Sequence, residues 1–381
     1  MVAHPHLLLR AGLLLGCAGQ LPGCAGEGAE DTASVTVLDG ITTRRWSAAT
    51  GSDGLHEVRL DVAEGDDALL VCARTERASR WLSVERIEDP DGAVVLRWQD
   101  WYEVPRVLTG GIFPSGADSC INWPVREEDA PLRPGVWRVW MASTDERNRY
   151  AGGTPLEVVA QTREAPGDAG VLRVALAFAG DLSEEEGLVE AVELAVQRWA
   201  DIWAPAGVAL EVERVEVELD RDLPDLLEGG VAWTEAAART DDNDVLMVIG
   251  ETIDGSVDLY GLAGGVPGAL TEGPRAALAV SWLANAGRDG VFDEDEIQLL
   301  GDTLAHEAGH FAGLVHPVED GWAQWDALDD TVECARMGAC EDALGDNNLF
   351  PYAICSLSTC APQDALTEDQ VAVLRRYTGV H

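Results

Sequence analysis

The eleven residues His306-Glu307-Ala308-Gly309-His310-Phe311-Ala312-Gly313-Leu314-Val315-His316 constrain this chain more than any other stretch. On a helix, His306 and His310 stand four apart and project from one face, one turn above the other. Their imidazole nitrogens then come within reach of a single ion, at the roughly 2.0–2.1 Å that nitrogen keeps from zinc. Glu307, beside the first of them, places a carboxylate where it can take a proton from water. Gly313 can adopt the left-handed conformation that stops a helix, so the chain can turn back and deliver His316 as a third ligand. Three protein ligands leave a fourth position open, which marks a catalytic rather than a structural site. Histidine usage points the same way. Of seven histidines, His4 and His6 lie in a leader, and three of the other five fall inside this run. The competing reading, a buried amphipathic helix with incidental histidines, draws on Leu299, Leu300, Leu304 and Phe311.

The spacing resembles the metzincin clan of zinc endopeptidases, and other stretches across residues 168–381 match its plan. Asp326-Ala327-Leu328-Asp329-Asp330-Thr331 is similar to an acidic segment of pappalysin-like members. Asn347-Asn348-Leu349-Phe350-Pro351-Tyr352 resembles their Met-turn, and Leu366-Thr367-Glu368-Asp369-Gln370 opens a closing helix. Pro317 is more serralysin-like. The resemblance implies a twisted mixed sheet, a long active-site helix, Zn2+ held by His306, His310 and His316, Glu307 as general base, and a protein or peptide substrate. It also implies an edge strand that pairs with extended substrate backbone just before the helix, for which Ala276–Trp282 is the candidate. Phe350 stands where the clan has methionine, and no methionine follows Met337. Phenylalanine offers an apolar surface there but is bulkier and less adaptable. Tyr352 keeps the position at which relatives place a tyrosine, so by resemblance it ligates the resting metal or donates to the tetrahedral intermediate. Read from its surroundings alone, it is a half-buried tyrosine in a turn.

The 381-residue chain is long enough for two domains and carries a formal charge of −42. All 26 basic residues are arginine. That balance excludes nucleic-acid and anionic-membrane binding, which need clustered positive charge. Most carboxylates read as solvated surface. Two clusters, Asp289–Glu296 and Asp326–Asp330, are candidates for Ca2+, although neither matches a complete calcium loop. The first reads equally well as an acidic helix start.

Residues 1–24 read as an export signal whose apolar run is too short to span a bilayer. Leu14-Leu15-Gly16-Cys17 matches a lipobox with Cys17 as the lipidated residue, and Leu21-Pro22-Gly23-Cys24 is a weaker second candidate. An ordinary soluble signal is the alternative. Residues 25–33 form a Gly/Ala/Glu-rich tether. The expected location is outside the cytoplasm, with the membrane reached only through a lipid anchor. Six cysteines follow, an even number that suggests disulfides in an exported chain. Cys72 and Cys120 are the only pair in the first half, while Cys334, Cys340, Cys355 and Cys360 allow three pairings.

The fold class expected is α+β, a metzincin-like domain over 168–381 preceded by an all-β, jelly-roll-like sandwich over 34–164. The sandwich rests on runs such as Leu55–Val62, Ala68–Ala73, Leu82–Ile87, Ala93–Trp98 and Gly135–Met141, with a turn at Asp89-Pro90-Asp91-Gly92. Its seven tryptophans, Trp46, Trp81, Trp98, Trp101, Trp123, Trp137 and Trp140, pack a core or form a carbohydrate-binding face. Gln161–Gly170 is the expected linker. Beyond it come a strand at Val171–Phe178, a helix at Glu184–Trp203, a strand from Val208 that resumes through Val215 and Leu219 after a bulge, and a buried strand at Asp244–Ile249. The expected activity is zinc-dependent endopeptidase. The alternatives are a zinc-binding pseudoenzyme and an envelope- or glycan-binding surface lipoprotein.

Overall fold

The structure, a computed structural model, describes residues 34–377 apart from 39, 103, 115, 166–169, 227–229, 239–243, 269–276, 286–291 and 357–358. The export signal with Cys17 and Cys24, the tether, and residues 166–169 of the expected linker lie outside the described residues.

Alternating residues of the first half form β1 (Ser34–Leu38), β2 (Ile41–Ala49), β3 (Leu55–Val62), β4 (Asp66–Arg74), β5 (Trp81–Glu88), β6 (Val94–Arg97), a short helix α1 (Gln99–Tyr102), β7 (Arg106–Val107), β8 (Asp118–Trp123), β9 (Gly135–Thr144) and β10 (Pro155–Glu164). One sheet runs β1-β2-β10-β4-β8 and a second β3-β9-β5-β6, both antiparallel. Period-2 patterning sends Trp137, Val139 and Met141 of β9 inward, where each is fully buried. Each such side chain contributes about 1.5–3 kcal/mol. The Asp89 carboxylate accepts from the backbone N–H groups of Asp91 and Ala93, both at 2.9 Å, which fixes the turn before β6. None of the seven tryptophans of this half is exposed. Trp140 lies 4.2 Å beneath the Arg86 guanidinium, and Trp98 and Trp101 pack on the core.

The second half comprises β11 (Gly170–Phe178), α2 (Leu188–Trp203), β12 (Val208–Arg214), β13 (Asp222–Leu223), α3 (Gly230–Ala237), β14 (Val245–Gly250), β15 (Thr252–Ile253), β16 (Gly261–Ala263), β17 (Ala277–Ser281), α4 (Trp282–Asn285), α5 (Glu294–Phe311), β18 (Val318–Glu319), β19 (Gln324–Asp326), α6 (Met337–Leu344), β20 (Cys355–Ser356), β21 (Thr359–Cys360) and α7 (Glu368–Tyr377). Its main sheet has the order β12-β11-β14-β17-β16. The first four strands are parallel and β16 is antiparallel. β14 and β17 are buried along their whole length, as continuous apolar runs covered on both faces must be. Helices α2 and α5 pack on one another. In α2, Trp199 and Trp203 are fully buried and meet edge to face at 5.4 Å.

Two expectations are corrected. Ala277–Ser281 is an interior strand, and the edge next to α5 is instead β16, a three-residue, glycine-started strand without alternation. The chain from Val215 to Leu219 is not a resumed strand. The ladder with β11 ends at the Leu176–Arg214 pair, two residues before β11 does; beyond it Val215 N–H still donates to Leu176 O at 3.0 Å and Gly180 N–H to Leu219 O at 2.8 Å, without strand pairing.

The two halves share one hydrophobic core and are tied by polar contacts. The buried Arg163 of β10 donates to the carbonyls of Arg375 and Arg376 at the end of α7. The Tyr377 hydroxyl donates to Pro124 O at 2.6 Å. β7 pairs in parallel with β19.

Candidate metal centre

Helix α5 carries the first two histidines, and its start is built by the acidic segment before it. Asp293 and Glu296 form a capping box, each carboxylate accepting the other's backbone N–H at 3.0 Å. Three carboxylates in the first turn, Glu294, Asp295 and Glu296, complement the helix dipole. The helix ends where Gly313 takes φ +101°, and its N–H donates to His310 O at 2.9 Å. The reversal delivers His316 to the other two.

The three rings meet through their Nε2 atoms. His316 Nε2 lies 3.2 Å from His306 Nε2 and 3.1 Å from His310 Nε2. An ion with bonds of roughly 2.0–2.1 Å to tetrahedral ligands needs them about 3.3 Å apart, so the spacing fits zinc. These histidines are the one such group among the described residues. Each Nδ1 is held by its own acceptor: Asn348 O for His306 at 2.7 Å, Leu314 O for His310 at 2.6 Å and the Glu319 carboxylate for His316 at 2.7 Å. Those partners keep the proton on Nδ1 and turn the Nε2 lone pairs toward one another. Burial, with the neighbouring histidines adding to it, holds His306 well below the usual imidazole range and His310 at about 3. Burial also pushes His316 down, but Glu319 outweighs it and leaves that ring raised.

Glu307 is buried, and burial lifts its carboxyl to about 8 against a small opposing pull from His316. Its side chain rests on β16, where a Cβ at Gly261 would stand 2.6 Å from its Cγ and Oε1.

The turn after α6 supplies more than its pattern announces. Asn348 offers its carbonyl to His306, and its side-chain amide donates to Asp302 O at 3.1 Å and Gln363 O at 2.8 Å. Asp302 in turn accepts from Arg198 of α2 at 2.6 Å. The residue against α5 is Leu349, whose methyls would lie 3.2 and 3.3 Å from a Cβ at Gly309. Phe350 sits in a small separate core with Val318, Leu344, Cys334 and Cys340, its ring 4.9 Å from that of Tyr352 and stacked on Trp322 at 6.5 Å. Tyr352 donates its hydroxyl to Glu341 Oε1 at 2.8 Å, and burial together with that carboxylate raises its pKa.

The cysteines pair as Cys72–Cys120, Cys334–Cys340 and Cys355–Cys360, which selects one of the three arrangements open to the last four. Such bonds fit an oxidising compartment. Among the described residues no helix is long and apolar enough to cross a membrane.

Glu319, Asn348, Leu349 and Gly261 are the site residues that sequence reasoning missed. Only Glu319 carries a local signal, a carboxylate three residues after the third histidine.

No protein-family model matches the chain, and no curated protein matches it significantly. Among solved structures it overlaps in part with archaemetzincin from Methanopyrus kandleri, at 18% identity and a TM-score of 0.27 over 39% of this chain and 77% of that one. It overlaps similarly with metalloproteinase-II from Bacteroides fragilis, at 12% identity and a TM-score of 0.29 over 48% and 57%. The class of the protein is defined by its own geometry: an α+β fold in which helix α5 carries two of three converging histidines and the turn after it delivers the third.

Proposed function

We propose that the chain is a zinc-dependent endopeptidase, exported and anchored through a lipid on Cys17. The observation that carries this reading is the buried Glu307 carboxylate, set beside three converging imidazoles and against β16, the edge strand of the main sheet. His306, His310 and His316 would hold the zinc. When bound, zinc polarises the scissile carbonyl and lowers the pKa of water toward neutrality. Glu307 takes the proton of the attacking water as its oxygen adds to the carbonyl carbon. The same carboxyl then delivers that proton to the leaving nitrogen as the peptide bond breaks. The edge strand β16 aligns extended substrate backbone, and Tyr352 would donate to the oxyanion after leaving Glu341. The domain boundaries expected from sequence, 34–164 and 168–381, belong to this reading. Calcium belongs to it at Asp326–Asp330, where Asp326 Oδ2 is buried and, among the described residues, has no hydrogen-bond partner. In the other candidate segment, residues 289–291 lie outside the described residues, and Asp293 and Glu296 cap α5.

The test is cleavage of a diverse quenched-peptide library by wild-type protein and by Glu307→Gln. Turnover by the wild type alone supports the reading, and equal turnover by both defeats the mechanism. A second reading, a zinc-binding pseudoenzyme, is favoured by Phe350 and by the engagement of Tyr352 with Glu341. One zinc per chain with no turnover from either protein would select it.

A further inference from the structure

We propose that the N-terminal sandwich is a fixed wall of the metal centre, and that Asn122 is the positioning residue through which it holds the turn delivering His316. This rests on reading His306, His310 and His316 as zinc ligands. Asn122 is in β8, fully buried, and its Oδ1 accepts from Thr109 Oγ1 at 3.4 Å. Among the described residues its Nδ2 has no hydrogen-bond partner. A buried amide left unpaired is destabilising, and an aliphatic side chain in that place would be cheaper. What the amide does there is pack on Gly313. A Cβ at Gly313 would stand 2.5 Å from Asn122 Nδ2 and 3.2 Å from its Cγ.

The turn so packed controls two ligands. Gly313, at φ +101°, reverses the chain toward His316. Leu314 then donates its N–H to Gly309 O at 3.0 Å and accepts from His310 Nδ1 at 2.6 Å. Displacing this turn therefore moves His316 and loosens His310 together. The same region of the sandwich also touches the chain before and after the histidines. Gly110 N–H donates to Val266 O at 3.0 Å, just beyond β16. Trp325 N–H donates to Pro105 O at 2.8 Å where β19 pairs with β7. One stretch of the first half thus meets the substrate-side edge, the ligand turn and the strand that follows it. A removable pro-segment or a tethered glycan module would not be built into the support of the ligands this way.

The experiment is a double-mutant cycle in the full chain, read as zinc affinity by competition with a chromophoric chelator. Gly313→Ala suffers both a strained backbone and the collision with Asn122, whereas in an Asn122→Ala background only the strain is left. The expected loss is about 100-fold in the wild-type background and about 10-fold in the Asn122→Ala background. Equal losses in the two backgrounds, within twofold, would overturn the proposal. Should Gly313→Ala not fold, Asn122→Ala alone decides the matter against Ile121→Val, a neighbouring buried change on the same strand. Asn122→Ala must weaken zinc about tenfold and shift the visible spectrum of the cobalt-substituted protein, while Ile121→Val must do neither. Unchanged affinity and spectrum in Asn122→Ala would overturn the proposal and leave the peptidase reading standing. Failure of the wild type to bind zinc would defeat both.

Discussion

Gly261 and Glu307 are packed so closely that a Cβ on the first would stand 2.6 Å from both Cγ and Oε1 of the second. The sheet edge therefore rests directly on the carboxylate that follows the first histidine. Gly261→Ala should push Glu307 off its position while leaving the three ligands where they are. The expected result is one zinc per chain and peptide cleavage reduced about 100-fold, the usual consequence of misplacing a reacting group by about 1 Å. Zinc content by atomic emission and turnover on a quenched peptide check it. Activity within twofold of wild type would show that the contact does not position the base.

Glu319 holds Nδ1 of His316 at 2.7 Å and is the reason that ring's pKa rises despite burial. Removing the carboxylate makes His316 a poorer ligand and frees its ring to rotate. Glu319→Ala should weaken zinc binding about 10- to 100-fold, with Glu319→Gln intermediate because an amide can still accept from Nδ1. Chelator competition measures this. Equal affinities for the three proteins would contradict the role.

The parts of the centre that were legible in sequence are those whose geometry is local. His306, His310, Gly313 and His316 follow from helical spacing and one left-handed residue. The supporting partners follow no residue pattern. His306 and His310 are oriented by backbone carbonyls, of Asn348 and Leu314, which any residue type supplies. Glu319 is one carboxylate in a chain whose formal charge is −42. In the fold, the alternation of the sandwich strands is legible because one face of each meets a core. The edge strand is not, because Gly261–Ala263 is held by β17 and by its fit to Glu307 rather than by a pattern of its own. Val215–Leu219 misleads for the opposite reason: alternation records which side is buried and says nothing of whether the ladder continues, and here it gives way to single bonds, Val215 N–H to Leu176 O and Gly180 N–H to Leu219 O.

Zinc removal should destabilise the folded protein, because the ion binds the assembled histidines and not the unfolded chain. At a free concentration about 1,000 times the dissociation constant, the linkage contributes about 4 kcal/mol. Stripping the wild type with a zinc chelator should lower its melting temperature by several degrees, and adding zinc back should restore it. His316→Ala should show no such difference. A chelator-insensitive wild type would mean the three histidines hold no metal in solution.

The three disulfides close loops of very different length. Cys72 and Cys120 are 48 residues apart, Cys334 and Cys340 only 6, and Cys355 and Cys360 only 5. The chain-entropy model then gives about 4 kcal/mol for the first and about 2 kcal/mol for each of the others. Cys72→Ala with Cys120→Ala should cost more in denaturant midpoint than Cys355→Ala with Cys360→Ala, and the buried position of the first pair adds to the gap. Equal midpoints would show that the denatured chain is not constrained as the model assumes.

Asp326 makes stability depend on pH in a direction opposite to that of a salt-bridged carboxylate. Burial, assisted by Asp330 and opposed by Thr331, the Leu328 backbone and Arg106, lifts its carboxyl to about 7 from an ordinary 3.8. The unfolded chain therefore releases this proton near pH 4 and the folded one near pH 7. Between those values the folded state binds more protons, so stability falls as pH rises. The full effect is on the order of 4 kcal/mol, present below pH 4 and lost above pH 7. Asp326→Asn keeps a neutral side chain that can still accept from the Thr331 hydroxyl, and it cannot ionise. With no calcium added, the melting temperature of the wild type should drop between pH 5 and pH 8 by several degrees more than that of Asp326→Asn. The comparison between the two proteins cancels the general repulsion of so acidic a chain. Parallel curves would mean that Asp326 is already ionised in the fold at pH 5.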